Sequence, residues 1–97
     1  MGSYNLSTRA QFDLVGIYKY GKKMFGQEQA SGYLYELETI LEELADRPEL
    51  ARDASFIAHA LKHYRYRAHV VFYQIDDKNQ IYVVRILGKR MNFIEHL

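Results

Sequence analysis

The clearest pattern in the chain is helical. Between residues 27 and 47 the apolar positions are Ala30, Tyr33/Leu34, Leu37, Ile40/Leu41 and Leu44. Steps of three and four wind these positions into one stripe, the face of an amphipathic helix. Pro48 stops the helix by driving Arg47 out of helical geometry. An earlier stretch, from Thr8 onward, carries Ala10, Leu14, Ile17 and Tyr18 on one side and extends to Phe25. Thr8-x-x-Gln11 matches a capping box, Ser7 is an equally good N-cap, and Gly26 supplies the C-terminal stop. Gly16 and Gly21 weaken this first helix by up to about 1 kcal/mol each unless close packing requires them. So short a link at Gly26 predicts an antiparallel helix hairpin.

The period changes after residue 60. Residues 61–67 alternate Tyr64 and Tyr66 with Arg65 and Arg67, and residues 68–75 are β-branched and aromatic. Residues 81–87 (IYVVRIL) form the most apolar run in the protein. Asp76-Asp77-Lys78-Asn79-Gln80 is a polar cluster of hairpin-turn length. Three antiparallel strands in a meander follow from this order. Tyr4-Asn5-Leu6-Ser7 reads as a short strand, and residues 49–60 as a loop with a helical turn. The expected fold is α+β in a single domain over 1–97, with the helix hairpin covering one face of a small sheet. Met1-Gly2-Ser3 has the composition of an expression remnant and is set aside.

Composition narrows the chemistry. The absence of cysteine excludes disulfides, thiol catalysis and zinc–thiolate sites, and fits a reducing, cytoplasmic setting. No apolar run approaches the length of a membrane span, and no signal-peptide pattern opens the chain. The net charge of +1 conceals an asymmetry. Residues 1–51 hold five Lys/Arg against eight Asp/Glu, and residues 52–97 hold eight against four. A basic C-terminal half suits an anionic partner, either nucleic acid or an acidic protein segment.

Catalytic candidates are weak by comparison. His59 and His63 have HxxxH spacing, but they straddle a loop-to-strand change and lack the glutamate of HExxH, so no metal site is expected. His69 alternates with Val71 and Tyr73 and reads as a half-buried, hydrogen-bonded histidine. The paired carboxylates Asp76 and Asp77 are explained by turn chemistry. No cofactor motif is present. The arginines carry more information. Arg65 and Arg67 share one strand face by the period of two. Arg85 interrupts an apolar strand, where an unpaired guanidinium is prohibitive. Two readings are open for it: an ion pair with Glu95 or a carboxylate of the second helix, or a place with Arg65, Arg67, Lys89 and Arg90 in a cationic patch on the sheet face away from the helices. Nine tyrosines, among them Tyr64, Tyr66, Tyr73 and Tyr82, suit a surface that is half apolar and half wet.

The order strand, helix hairpin, three strands and basic tail resembles the RelE/ParE toxin superfamily. Ser7-x-x-Ala10-x-x-Asp13-Leu14-x-x-Ile17 resembles the opening of the first ParE helix, and Leu44-Ala45-Asp46-Arg47-Pro48 the end of the second. Tyr64-Arg65 and Val70-Val71-Phe72-Tyr73 resemble the central strands. Val84-Arg85-Ile86-Leu87 with Arg90-Met91-Asn92 resembles the last strand and tail. Gly88 stands where many relatives carry histidine. The resemblance implies a type II toxin of the ParE branch, which poisons DNA gyrase by stabilising its cleaved-DNA complex and is not a catalyst. The runner-up branch is the RelE-like ribosome-dependent mRNA endonuclease, and a non-toxic antitoxin-binding module is a third reading. The implied partner is a ParD-like ribbon-helix-helix antitoxin whose flexible segment folds onto the toxin. DNA would be met only through antitoxin or gyrase. The same resemblance implies that Arg65, Arg67, Arg85, Lys89 and Arg90 contact antitoxin or target, with further contacts from Met91, Asn92 and Phe93.

Overall fold

A computed structural model describes residues 3–97, so Met1 and Gly2, set aside above, lie outside the described residues. Ser7 begins the fold. Its side chain accepts the Ala10 amide at 2.9 Å as the N-cap of α1 (Thr8–Phe25). Its own hydroxyl donates to the Val84 carbonyl at 2.6 Å, and its amide donates to the Val83 carbonyl at 2.9 Å. One residue thus starts a helix and fixes it to a strand, satisfying donors that a helix end leaves orphaned. Gly26, at φ +93°, makes the turn into α2 (Gln27–Asp46). That left-handed backbone is open to glycine at little cost, which is why the hairpin link can be one residue long.

β1 (Tyr4–Leu6) precedes the hairpin, and after it come β2 (Arg52–Asp53), β3 (Lys62–Tyr66), β4 (His69–Ile75) and β5 (Ile81–Gly88). The five strands lie in the order β1-β5-β4-β3-β2. β1 runs parallel to β5, and the remaining pairs are antiparallel. The expected meander is therefore the middle of a wider sheet. Residues 49–60 also contain more order than a loop: a 3-10 turn at Pro48–Leu50 and the two-residue β2. A last helical turn, α3 (Phe93–His96), is capped by Asn92, whose side chain accepts the Ile94 amide at 3.1 Å.

Two apolar clusters sit on opposite faces of the sheet. Against the hairpin, Leu41 and Leu44 of α2 meet Val71, Tyr73, Ile81, Val83 and Ile86. Fully burying each such aliphatic side chain contributes about 1.5–3 kcal/mol. Val83 and Ile86 are three residues apart, an odd spacing for one strand face. A bulge resolves it: Phe72 faces Arg85 and Tyr73 faces Val83, leaving Val84 as an extra residue in β5. The other face holds Ala54, Leu61, Val70, Phe72 and Leu87, with Phe93 and Leu97 packed on them. Tyr73 is fully buried with its hydroxyl on the Pro48 carbonyl at 2.7 Å, and burial pushes its pKa up to about 12.

The helix glycines divide. A Cβ on Gly21 would lie 3.3 Å from the Cβ of Ala30, so α1 and α2 approach closely there, while nothing lies within 4 Å of a Cβ on Gly16. Gly16→Ala should therefore raise unfolding free energy by about 0.5–1 kcal/mol in urea melts. Gly21→Ala should return less, because the new methyl crowds Ala30.

Candidate functional site: a cationic groove and an apolar recess

The sequence leaves Arg85 with two readings, and the structure takes the ion pair, though with a carboxylate other than those suggested. Arg85 is buried, 9% exposed, and its partner comes from α1. Its Nε donates to Asp13 Oδ2 at 2.7 Å and its Nη2 to Asp13 Oδ1 at 2.8 Å, a bidentate pair. Nη1 donates to the His96 carbonyl at 2.6 Å, which Arg9 Nη2 also reaches at 2.9 Å. Asp13 Oδ2 accepts the Ile86 amide as well, at 3.0 Å. β1 covers β5 only as far as Val83, so Asp13 closes the strand edge where β1 stops. Hydrogen bonding to Asp13 raises the Arg85 pKa, against the opposing effect of burial. Neither Glu95 nor α2 supplies the carboxylate, because α1 crosses this edge of β5.

Arg67 also departs from expectation. Tyr66 pairs with His69, so Arg67 and Ala68 are the two-residue turn between β3 and β4, with Arg67 at φ +50°. Its guanidinium reaches Glu36 of α2 at 3.2 Å and lies 5.6 Å from the centre of the Tyr66 ring. It does not share a face with Arg65. The turn breaks the period of two on which that grouping rested.

Arg65 and Lys89 do come together. With Arg52, His63 and Tyr64 they line a groove of about 540 Å³ whose apolar wall includes Val70 and Phe93. β2 pairs with β3 only at Lys62 and His63, so the groove follows the open edge of β3 and crosses to the face away from the hairpin. Among the described residues no carboxylate lines it. Arg90 is exposed in the turn after β5 and is not part of its wall. Of the tail residues, Met91 accepts the Gly88 amide through Sδ at 3.1 Å, Asn92 caps α3, and Phe93 meets Phe72 edge-on at 5.0 Å between ring centres. Arg52 had no signal in the sequence, because its place depends on a two-residue strand without apolar periodicity, and His63 was weighed there only as half of an HxxxH pair.

A second concavity lies under the tip of the hairpin, between Ile17, Phe25, Ala30, Tyr33 and the β3–β4 turn, with a volume of about 750 Å³. Its lining is mainly apolar. Phe25, which continues the stripe of α1, is 60% exposed because the helices outrun the sheet. Gly32 borders the recess, and a Cβ there would meet nothing. The polar end holds Glu36 with Arg67, and Tyr33 Oη hydrogen-bonded to His69 Nδ1 at 2.7 Å. Histidine 69 is thus half-buried and partnered, as its strand position predicts. Burial lowers its pKa, with the Asp13 charge pulling the other way.

Among the described residues no group of three or more His, Asp or Glu could hold a metal ion, and no helix is long and apolar enough to cross a membrane. His59 lies in a turn where its carbonyl accepts Gln74 Nε2 at 3.2 Å, while His63 stacks on Phe72 in β3. The two imidazoles share no helix.

Two consequences are measurable. Asp13→Ala strands a buried guanidinium and should cost about 3–5 kcal/mol in urea denaturation. Adding Arg85→Met should recover part of that loss, since the uncompensated charge goes with it. Because the folded state holds His69 at a lowered pKa, its unfolded form takes up a proton first as pH falls. Stability fully present above the ordinary value of 6.5 should therefore be lost as pH drops through it, and His69→Gln should flatten that part of a pH–stability curve.

Comparison with known proteins places these features in a family. Residues 4–93 match the model of the ParE toxin of type II toxin–antitoxin systems. Toxin ParE1 of Caulobacter vibrioides is 33% identical over 97 residues, covering 100% of this chain and 99% of the relative. A solved chain of the chromosomal ParDE toxin–antitoxin system from P. aeruginosa superposes with a TM-score of 0.75 at 16% identity, covering 91% of this chain and 96% of that one. A chain of the RelBE2 toxin–antitoxin complex from Mycobacterium tuberculosis gives 0.64 at 14% identity, with 91% and 98% covered. The fold is that of the RelE/ParE superfamily, and the chain belongs to the ParE toxin family of type II toxin–antitoxin systems.

Proposed function

We propose that this toxin poisons DNA gyrase by stabilising its cleaved-DNA complex, acts in the cytoplasm, and is neutralised by a ParD-like ribbon-helix-helix antitoxin. The observation that carries the choice of branch is the fate of Arg85. A RelE-like nuclease works through cationic side chains free to face an RNA phosphate. In this chain Arg85 of β5 spends its Nε and Nη2 on Asp13 and its Nη1 on the His96 carbonyl, and is buried. It supports the junction of helix, strand and tail, which favours inhibition by binding over cleavage.

The apolar recess supports an antitoxin partner. Ile17 and Ala30 line the recess from the core side, and at its mouth the Phe25 ring, last in the α1 stripe, is exposed. A flexible segment that folds on arrival would bury this surface and offset its ordering entropy. The ParDE neighbour is consistent with such an assembly.

The test is induction of the chain alone in bacterial cells, reading growth, SOS response and transcript integrity together. Arrest with filamentation and SOS induction over intact mRNA is the expected result. Rapid mRNA cleavage without SOS would move the protein to the RNase branch, and a folded protein without any arrest would be an antitoxin-binding module only.

A further inference from the structure

We propose that the groove on β3 binds the phosphodiester backbone of single-stranded DNA. This takes the gyrase reading as its setting, since an enzyme that holds broken DNA exposes strand ends. It adds a direct contact where the toxin's resemblance suggested only an indirect one.

Three cations from three elements converge on the groove: Arg52 of β2, Arg65 of β3 and Lys89 after β5. Ion pairs among the described residues use Arg47, Arg67 and Arg85 instead. Asp53, beside Arg52, is engaged by the Ser55 hydroxyl at 2.7 Å. A groove with three exposed cations and no carboxylate in its wall is complementary to a chain of anions. An acidic peptide is such a chain too, and the remaining lining decides between them. His63 and Phe93 put flat rings among the cations, while the Tyr64 ring packs toward the hairpin side of the sheet, and two of the cations are themselves planar guanidinium groups. Bases stack on such faces whatever their sequence, whereas glutamate side chains gain little from them. The register sets the geometry. Arg65 pairs with Val70, and Val70 with Leu87, two residues before Lys89, so the cations flank the strip of sheet on which the rings lie. Two strand spacings separate the β3 and β5 sides, roughly 10 Å. A single strand fits across it; an intact duplex, with its bases stacked inward, offers nothing to the rings.

The test is fluorescence anisotropy of a labelled twelve-nucleotide oligo-dT strand with the full chain, over a salt series. Three phosphate contacts on a single strand give a slope of log K against log salt of about −2, or about twentyfold weaker binding from 50 to 200 mM. Arg65→Ala and Lys89→Ala should each weaken binding about tenfold, the size of one charge-assisted hydrogen bond, and reduce the slope by about 0.7. Lys78→Ala, in the β4–β5 turn, should change neither, and circular dichroism establishes that each variant is folded. No binding, binding unchanged in both groove variants, or tighter binding of a poly-glutamate peptide than of oligo-dT would overturn the proposal. Gyrase–DNA cleavage by the wild-type toxin is scored separately. If it fails, the gyrase reading falls while the oligonucleotide result stands; if it succeeds without oligonucleotide binding, only the groove assignment falls.

Discussion

The Asp13–Arg85 pair is the contact on which the rest of the molecule depends. It joins residues 72 positions apart and gathers three elements that sequence order keeps separate: the first helix, the last strand and the terminal turn. A buried ion pair is a poor source of net stability, because two desolvated charges recover little more than they lose. Its contribution is specificity. Asp13 can satisfy the bidentate guanidinium and the Ile86 amide together only if α1 lies along the β5 edge at one height. The bulge at Val84 completes the arrangement. It lets both Val83 and Ile86 face the helices while Arg85 stays opposite Phe72, next to the edge that β1 leaves open.

Once that junction is set, the two surfaces follow from length and edge. An α2 of 20 residues spans about 30 Å, and a β4 of seven residues about 23 Å. The hairpin must overhang, and its apolar stripe overhangs with it, which makes the recess. At the opposite edge β2 stops after two residues, so β3 exposes its outer side from Tyr64 onward. The cations gather there. One surface is apolar and under the helices, and the other is cationic and runs onto the far face, so the two differ in the chemistry they offer.

Helices and central strands were legible because their signals are local. The stripe Ala30–Leu37–Leu41–Leu44 is buried as its period requires, and the polar cluster 76–80 turns where its composition says. Family membership was legible too, since short matches occurred in the right order. The site was only partly so. Arg65 and Lys89 meet, but Arg67 left the patch because a turn interrupts strand alternation, and Arg85 left it because its partner is 72 residues upstream. No spacing rule pairs a helix aspartate with a strand arginine at that distance. Arg52 escaped notice for a related reason: two-residue strands have no period to read.

The proposed mode of action is inhibition of gyrase by binding, as against hydrolysis of RNA. The most direct measurement mixes the purified protein with gyrase, supercoiled plasmid and ATP, then traps complexes with detergent and protease. The account predicts linear, gyrase-cleaved plasmid that rises with toxin concentration and disappears when the reaction is reversed before trapping. Plasmid left uncut, together with cleavage of mRNA on added ribosomes, would contradict it.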